Sequence, residues 1–450
     1  MKVIVIGASG VGYVAAETIS DAHDVLVIEN DADIADQVKN RLNVSVLHEN
    51  GTNPKIIKMA IESHHPDVLI STLKDDDSNL FVCMLAKRFD PNLTTVASVT
   101  NPDYIVETSA QGQPGIDIII SPELITAEKL YRLCVLENAV DYEAIPSFDL
   151  SMAVFNINKD SNLIGEIVMN TINLQDCTVF AIYRNDELHF NVDTMEIHDG
   201  DRICLMGTPE ALAKYNESIG VEHTSRDIVI LGGTIVGRQL ATLLSKDPRK
   251  RYVRIIEKRD DYCRDMARTL TGVVVVNGDF TEPELQSSEN IFRADCLVSV
   301  TNQDDTNLLM CMSAQKYDTS KIMSRYLKKE YMDIFMFTGL ETIIGYDRIV
   351  SNEISKCVMS ESKVILRMRD HDELFFIHEV NERSKLLDKY YGDLVIPNGL
   401  RVVALDREGT VIFPVMDTQF LSGDRLVVFT NYASGKGIAK VFGRNAINES

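Results

Sequence analysis

The sequence predicts an α/β protein of two doubly wound parallel-sheet domains, each followed by a small α+β lobe. Three observations predict it. Short runs rich in Val and Ile alternate with helix-length stretches, the pattern of buried parallel strands wound with helices. The pattern occurs twice in 450 residues, the copies starting 225 residues apart. Each copy opens on a strand that runs directly into a glycine-rich turn.

In the first copy, Lys2–Gly12 reads as a strand ending at Gly7, a turn, and a helix from Val11 to Ile19. Val25–Glu29 is a second strand ending on an acid, Gly51-Thr52 follow a third, and Thr72 to Asp77 follow a fourth. A helix is predicted over Ser78–Phe89 and a fifth strand ends at Ser98. The second copy repeats this order at Asp227–Gly237, Val253–Glu257, Gly278-Asp279, Leu297–Leu308 and Arg325. Cys83-Met84 returns as Cys311-Met312. After each copy comes a stretch of alternating strands with Gly-Asp turns, Gly200-Asp201 and Gly423-Asp424, which predicts the small α+β module. Polar stretches near 138–147, 220–226 and 360–370 set expected domains of 1–137, 138–222, 223–360 and 361–450.

Composition narrows the function. Acidic residues number 67 against 45 Lys and Arg, a net charge of −22, which repels phosphate backbones and leaves no basic patch for anionic lipid. Nucleic acid is therefore not an expected partner. No run of eighteen apolar residues occurs, and glycines interrupt the apolar N-terminus where a signal peptide needs continuity, so a soluble cytosolic chain is expected. The eight cysteines lack any C-x-x-C pair and read as reduced core residues. His64-His65 reads as a surface loop before Pro66 rather than a metal site.

The candidate site is the turn and the acid that follows. A strand, a glycine turn and a helix start place backbone N–H groups where a pyrophosphate can sit. Gly7, Ala8, Ser9, Gly10, Val11 and Gly12 form that turn in the first copy, and Gly232, Gly233, Thr234, Ile235, Val236 and Gly237 in the second. Ser9 and Thr234 replace the middle glycine of G-x-G-x-x-G, and a small hydroxyl there can donate to phosphate. Glu29, beside Asn30, and Glu257 stand where a carboxylate can accept from a ribose diol, which favours NAD or an adenine nucleotide over NADP. Lys258 and Arg259 soften that preference in the second copy.

Further candidates follow the later strands: Gly51 and Thr52 with Gly278 and Asp279 under the adenine side, Thr72, Leu73 and Asp76 with Thr301 and Asp304 at the carboxyl end of the sheet. Arg325 is a candidate phosphate partner whose counterpart is Ser98, so the two pockets are expected to differ. Asp75-Asp76-Asp77 reads as helix-start caps in preference to a cation site.

These residues carry a family resemblance. Val3-Ile-Val-Ile-Gly7, Val25–Glu29, Asn79-Leu80, Asn101-Pro-Asp-Tyr104, Ile120-Ser-Pro-Glu123 and the two Gly-Asp turns make the chain similar, over nearly its whole length, to the TrkA family of Trk-type potassium uptake regulators. Those proteins are built of two tandem RCK/KTN domains, each with a Rossmann-like N-lobe and an RCK C-lobe. The resemblance implies a cytoplasmic regulatory subunit, peripheral on the inner face of the cell membrane, that binds NAD(H) and/or ATP/ADP. It also implies a dimer or tetramer ring under a TrkH/TrkG-like K⁺ transporter. Ser9, Thr234 and Ser98 depart from the family pattern.

The alternative is an NAD-dependent oxidoreductase, since the same fold serves many dehydrogenases. Tyr317…Lys321 and Tyr432…Lys436 have the spacing of a Tyr–Lys catalytic pair. Tyr317 is expected at a helix end and Lys321 at a strand start, however, and Gly435 interrupts the other pair. A second nucleotide-type domain also stands where a dehydrogenase normally adds an unlike substrate domain. A scaffold with dead pockets is the third reading.

Overall fold

The computed structural model of the 450-residue chain describes residues 1–105, 115–173, 175–185, 187–220, 225–358, 363–368, 373–394, 396–397, 399–431 and 441–442. The first sheet contains β1 (Lys2–Ile6), β2 (Asp24–Glu29), β3 (Ser45–His48), β4 (Val68–Ser71), β5 (Thr94–Ser98) and β6 (Ile118–Ile120). All are parallel, in the order β3-β2-β1-β4-β5-β6, so the chain reverses direction across the sheet between β1 and β4. Val3 to Ile6 are fully buried because helices cover both faces. Those helices are α1 (Val11–Ile19), α2 (Ala32–Arg41), α3 (Pro54–His64) and α4 (Asp76–Phe89), with α5 (Pro122–Val135) leaving the sheet after β6.

Local chemistry sets the helix starts. Asp31, Asn53, Asp75 and Ser121 each accept a bond from a first-turn amide, and Pro54 and Pro122 supply the fixed φ that suits a first helical position. Helix α4 begins at Asp76, two residues before the predicted Ser78, because Asp75 caps the Ser78 amide. His64 is the last residue of α3, bonded through Nε2 to the Asp24 carbonyl, and His65 ends the helix in the left-handed region, so this pair is a helix terminus and not a loop.

A five-stranded antiparallel sheet follows: β7 (Ala139–Ile145), β8 (Leu150–Asn156), β9 (Cys177–Arg184), β10 (Glu187–His189) and β11 (Arg202–Gly207), in the order β10-β9-β11-β8-β7, then α6 (Pro209–Ile219). The second half repeats the plan. Its parallel sheet has β12 (Asp227–Leu231), β13 (Tyr252–Glu257), β14 (Val273–Asn277), β15 (Cys296–Ser299), β16 (Lys321–Tyr326) and β17 (Thr342–Gly345), in the order β14-β13-β12-β15-β16-β17. Its helices are α7 (Ile235–Ser245), α8 (Asp260–Thr269), α9 (Pro283–Ser288), α10 (Asp304–Lys316), α11 (Met332–Phe337) and α12 (Tyr346–Cys357). The last sheet has β18 (Lys363–Arg367), β19 (Glu373–Glu379), β20 (Leu400–Arg407), β21 (Thr410–Ile412) and β22 (Arg425–Asn431), in the order β18-β19-β22-β20-β21. Read from its fourth strand, this is the order of the first small lobe. Each Gly-Asp turn is held the same way: Arg184 forks onto Asp201 at 2.7 and 2.6 Å, and Arg407 onto Asp424 at 2.8 and 2.8 Å.

The halves are joined by exchanged helices. Ala127, Leu130, Leu133 and Cys134 of α5, from the first half, share a core with Val236, Leu240, Ala241 and Leu244 of α7. Val350 and Ile354 of α12, from the second half, share a core with Ala15, Ala16 and Ile19 of α1. Lys321 donates to the Leu136, Glu137 and Ala139 carbonyls at 2.9 to 3.1 Å, completing the backbone bonding at the end of α5. Lys129, Asp141, Glu143 and Arg348 form a buried four-charge cluster between α5, β7 and α12. The small lobes also share one core, in which Phe180 lies 5.2 Å from Phe375 and 4.8 Å from Phe429 between ring centroids. Burying each ring contributes roughly 1.5–3 kcal/mol.

No described helix is long and apolar enough to cross a membrane. All eight cysteines are free thiols, seven of them buried.

Candidate functional site

Each glycine turn is built by the strands around it. Gly7 follows β1 with φ of 86° and donates to the Ile28 carbonyl at 2.9 Å, and a Cβ there would stand 2.9 Å from the Thr72 carbonyl oxygen. A Cβ on Gly12 would fall 1.9 Å from the Gly7 carbonyl oxygen, so α1 can approach the strand end only with glycine at that position. In the second half the corresponding gap between Gly237 and the Gly232 carbonyl is 2.2 Å. Gly10 has open space on its Cβ side, and Ser9, Gly10 and Val11 reach the surface.

The two glutamates lie under these turns and are almost fully buried. Glu29 accepts from the Ala8 amide at 2.6 Å and from the Asn30 and Asp31 amides at 2.8 and 2.9 Å. Glu257 accepts from the Gly233 amide at 2.8 Å, from the Arg259 amide at 2.9 Å, and from the Arg259 guanidinium. Burial of Glu257 opposes its charge, but the Arg259 guanidinium and the Arg259 and Gly233 amides outweigh that and hold its pKa at about 2. The acid thus fixes the turn itself, a role that its position in the sequence did not reveal.

The hydroxyls that replace the middle glycine have different surroundings. Thr234 is buried, donates to the Val300 carbonyl at 2.8 Å and caps the Gly237 amide of α7 at 3.3 Å. Its hydroxyl proton is committed inward. Ile235 is exposed and Val236 is packed in the core behind it. Thr72 closes the first turn from β4, donating to the Gly7 carbonyl at 2.8 Å.

Asn79 and Asn307 organise the loops after the fourth strands. Asn79 accepts from Ser71 and the Leu73 amide and donates to the Leu73 and Ser98 carbonyls at 2.8–2.9 Å. Asn307 does the same with Ser299, Thr301 and the Arg325 carbonyl. Asp76 accepts from the Thr100 and Asn101 amides, and Asp304 from the Leu327 and Lys328 amides, so each carboxylate pins the loop after the fifth strand. Among the described residues, no group of three or more His, Cys, Asp or Glu is placed to hold a metal.

Gly51 packs against Ile6, where a Cβ would meet the Ile6 Cγ2 at 2.3 Å, and Gly278 faces Leu285 in the same way at 2.8 Å. Thr52 is bonded to Asn50, and Asp279 accepts from the Thr281 hydroxyl and amide, which lower its pKa. Lys258 is exposed. Arg325 is buried and donates to the Thr301 carbonyl and to Asn302 Oδ1 at 2.8 Å. Burial lowers its pKa, opposed by Glu123 from the first half. Glu123 is raised by burial and accepts from Tyr346 at 3.2 Å, so α5, α12 and the second parallel sheet meet at one polar contact.

Tyr317 ends α10 and is exposed, whereas Lys321 begins β16 and is committed to carbonyls, so this pair shares no face. Tyr432 and Lys436 lie outside the described residues.

Two glycine turns, each closed by a glutamate at the end of the neighbouring strand and set in a sheet of order 3-2-1-4-5-6, define a tandem protein of the dinucleotide-fold class. The turns lie where the strand order reverses, the crevice that such sheets use for ligands. The chain belongs to the TrkA-N domain family, whose match covers residues 3–122 and 228–351. It is 31% identical over 452 aligned positions to the Trk system potassium uptake protein TrkA homolog 2 of Methanosarcina mazei, covering 98% of this chain and all of that one. Among solved structures it is similar to the GsuK RCK domain, with a TM-score of 0.63 and 15% identity over 98% of this chain and 94% of that one. It is equally similar in fold to a GsuK channel bound to NAD, with a TM-score of 0.63 and 16% identity over 98% and 78%.

Proposed function

We propose that this chain is a regulatory subunit of a Trk-type potassium uptake system. It binds NAD(H) or an adenine nucleotide in its parallel-sheet lobes, and ligand changes the angle between those lobes and so gates a membrane K⁺ transporter. The observation that carries this reading is the exchange of α5 and α12, which ties the position of each lobe to the helices of the other. Ligand moves such a pair only through different affinity for two arrangements, and shared cores give those arrangements different contacts.

The residues fit a nucleotide. Gly7, Gly12, Gly232 and Gly237 leave room where a side chain would collide, and the starts of α1 and α7 present backbone N–H groups and positive helix ends toward the turns. Glu29 and Glu257 lie beside the position of a ribose. The name of the M. mazei relative supports the potassium-uptake role, and the NAD-bound GsuK channel supports the ligand class. The chain acts on the cytoplasmic face, held at the membrane by its transporter partner, as a homo-oligomeric ring and without catalytic turnover.

Titration of the purified chain with NADH, ATP and ADP tests the reading. Binding by at least one, weakened in Glu29→Ala or Glu257→Ala, is expected. No binding by any of the three, or sustained NADH turnover with a carbonyl substrate, overturns it.

A further inference from the structure

The halves repeat each other closely, yet they differ beside the two glutamates. Two residues after Glu29 stands Asp31, whose side chain caps α2 by accepting from the Asp33 and Ile34 amides. Two residues after Glu257 stands Arg259, which makes no side-chain cap of α8 and turns its guanidinium back onto the acid. Nε lies 2.9 Å from Oε1 and Nη2 3.0 Å from Oε2, and the guanidinium carbon is 3.6 Å from the centre of the Tyr262 ring.

Counting acceptor sites separates the two pockets. A carboxylate offers about four. The three backbone amides on Glu29 leave one for a ribose hydroxyl. On Glu257 two amides and two guanidinium N–H groups use all of them while Arg259 lies across it. An unmodified ribose diol therefore has to displace Arg259 to reach Glu257.

A phosphate reverses the preference. Beside Glu29 it would meet an acid that, among the described residues, no cation neutralises. Beside Glu257 it meets a guanidinium whose planar fork suits two phosphate oxygens, with exposed Lys258 one residue away. Arg259 is 41% exposed, and with two of its five N–H groups on Glu257 it has others that can meet a phosphate while the carboxylate stays paired. The adjoining open cleft is lined by Gly233, Ile235, Arg238, Asp261, Tyr262 and Asp265, with the Arg238 guanidinium carbon 5.0 Å from the centre of the Tyr262 ring. Its Asp265 is paired with Arg238 at 2.6 Å, and the nearby Asp260 is paired with Arg264.

We propose that Arg259 is the specificity-determining residue of the second lobe and selects a nucleotide whose adenosine ribose carries a phosphate, while the first lobe takes one with a free diol. The proposal rests on the nucleotide-binding reading above. In the full-length chain, Glu29→Ala weakens the first site and leaves the second, and NADH and NADPH differ only in the ribose phosphate while sharing one fluorescent reporter.

The Glu29→Ala chain is expected to bind NADPH about tenfold more tightly than NADH, and adding Arg259→Ala to lower NADPH affinity about tenfold while NADH binds no worse. Glu257→Ala combined with Arg259→Ala, which removes both the acid of the second turn and its phosphate partner and leaves the first site, is expected to favour NADH. Equal or tighter binding of NADH by the Glu29→Ala chain overturns the proposal, as does binding of neither, or an equal effect of Arg259→Ala on both. Those outcomes leave the broader reading intact if the unsubstituted chain binds NADH. Failure of the unsubstituted chain to bind NADH, NADPH, ATP or ADP overturns both.

Discussion

Replacing Arg348 by methionine probes the buried cluster that ties the second half to the first. Its guanidinium donates to both oxygens of Asp141 at 3.1 Å and lies 3.8 Å from Glu143, while Lys129 reaches the same carboxylates at 2.7 and 2.5 Å. The four side chains are 10% exposed or less, so water does little to screen them. Burial disfavours the charged arginine, and Asp141 and Glu143 more than offset that. With two cations and two anions the cluster is neutral. Arg348→Met keeps most of the volume but leaves one lysine to balance two buried carboxylates, a loss of about 3–5 kcal/mol by the usual cost of removing one partner. Asp141→Asn in the same chain removes the excess charge and keeps the Lys129–Glu143 pair, so the double variant should recover roughly 1–2 kcal/mol of that loss. The chain has no Trp, so urea unfolding is best followed by circular dichroism. A loss below about 1 kcal/mol for Arg348→Met, or a double variant no more stable than the single, would show that the cluster is not a coupled unit.

Two further outcomes are expected. Phe81 and Met84 on α4, and Leu309 and Met312 on α10, are equivalent positions in the two halves, each 46% exposed or more, and they are apolar faces on which the proposed ring would assemble. Phe81→Asp with Leu309→Asp should shift the oligomer toward single chains in light scattering, each lost side chain costing about 1.5–3 kcal/mol of association, about ten- to a hundredfold in affinity; an unchanged mass would exclude these faces. His378 on β19, against Phe442 and Ser384, is held by burial at a pKa of about 4, below its ordinary 6.5. The unfolded chain therefore takes up that proton first, and stability of the second small lobe should fall as pH drops from about 6.5 to about 4. His378→Gln should flatten that slope in thermal unfolding measured across the range.

Much of the fold was legible because the chain states it twice. A strand, a glycine turn and an acid recurring in one order tie local pattern to topology, and both parallel sheets have the same strand order. The chemistry of single side chains was less legible. Asp76 read as a helix-start acid and Asp304 as a candidate at the carboxyl end of the sheet, but the amides they hold lie 23 to 25 residues onward, brought close only by the next strand. Arg259 read as a charge that softens a preference; in the fold it turns onto Glu257 with its guanidinium stacked on Tyr262, five residues from the acid. The two hydroxyls looked equivalent, but Thr234 is buried, donates to the Val300 carbonyl and caps α7, whereas no side chain caps α1 and Ser9 reaches the surface.

By itself the sequence determined the alternation of strands and helices, the two glycine turns and their glutamates, since these depend on residue type and near neighbours. The tertiary structure decided which lobe each connecting helix joins. Local pattern gives α5 and α12 apolar faces but leaves a tie over which half each packs against, although in the fold α5 shares a core with α7 and α12 with α1. Contacts between residues far apart in the chain break that tie, among them Arg348 with Asp141 and Lys321 with the carbonyls beyond α5. Such contacts carry no periodic signal in the sequence, because each depends on where two distant segments come to rest.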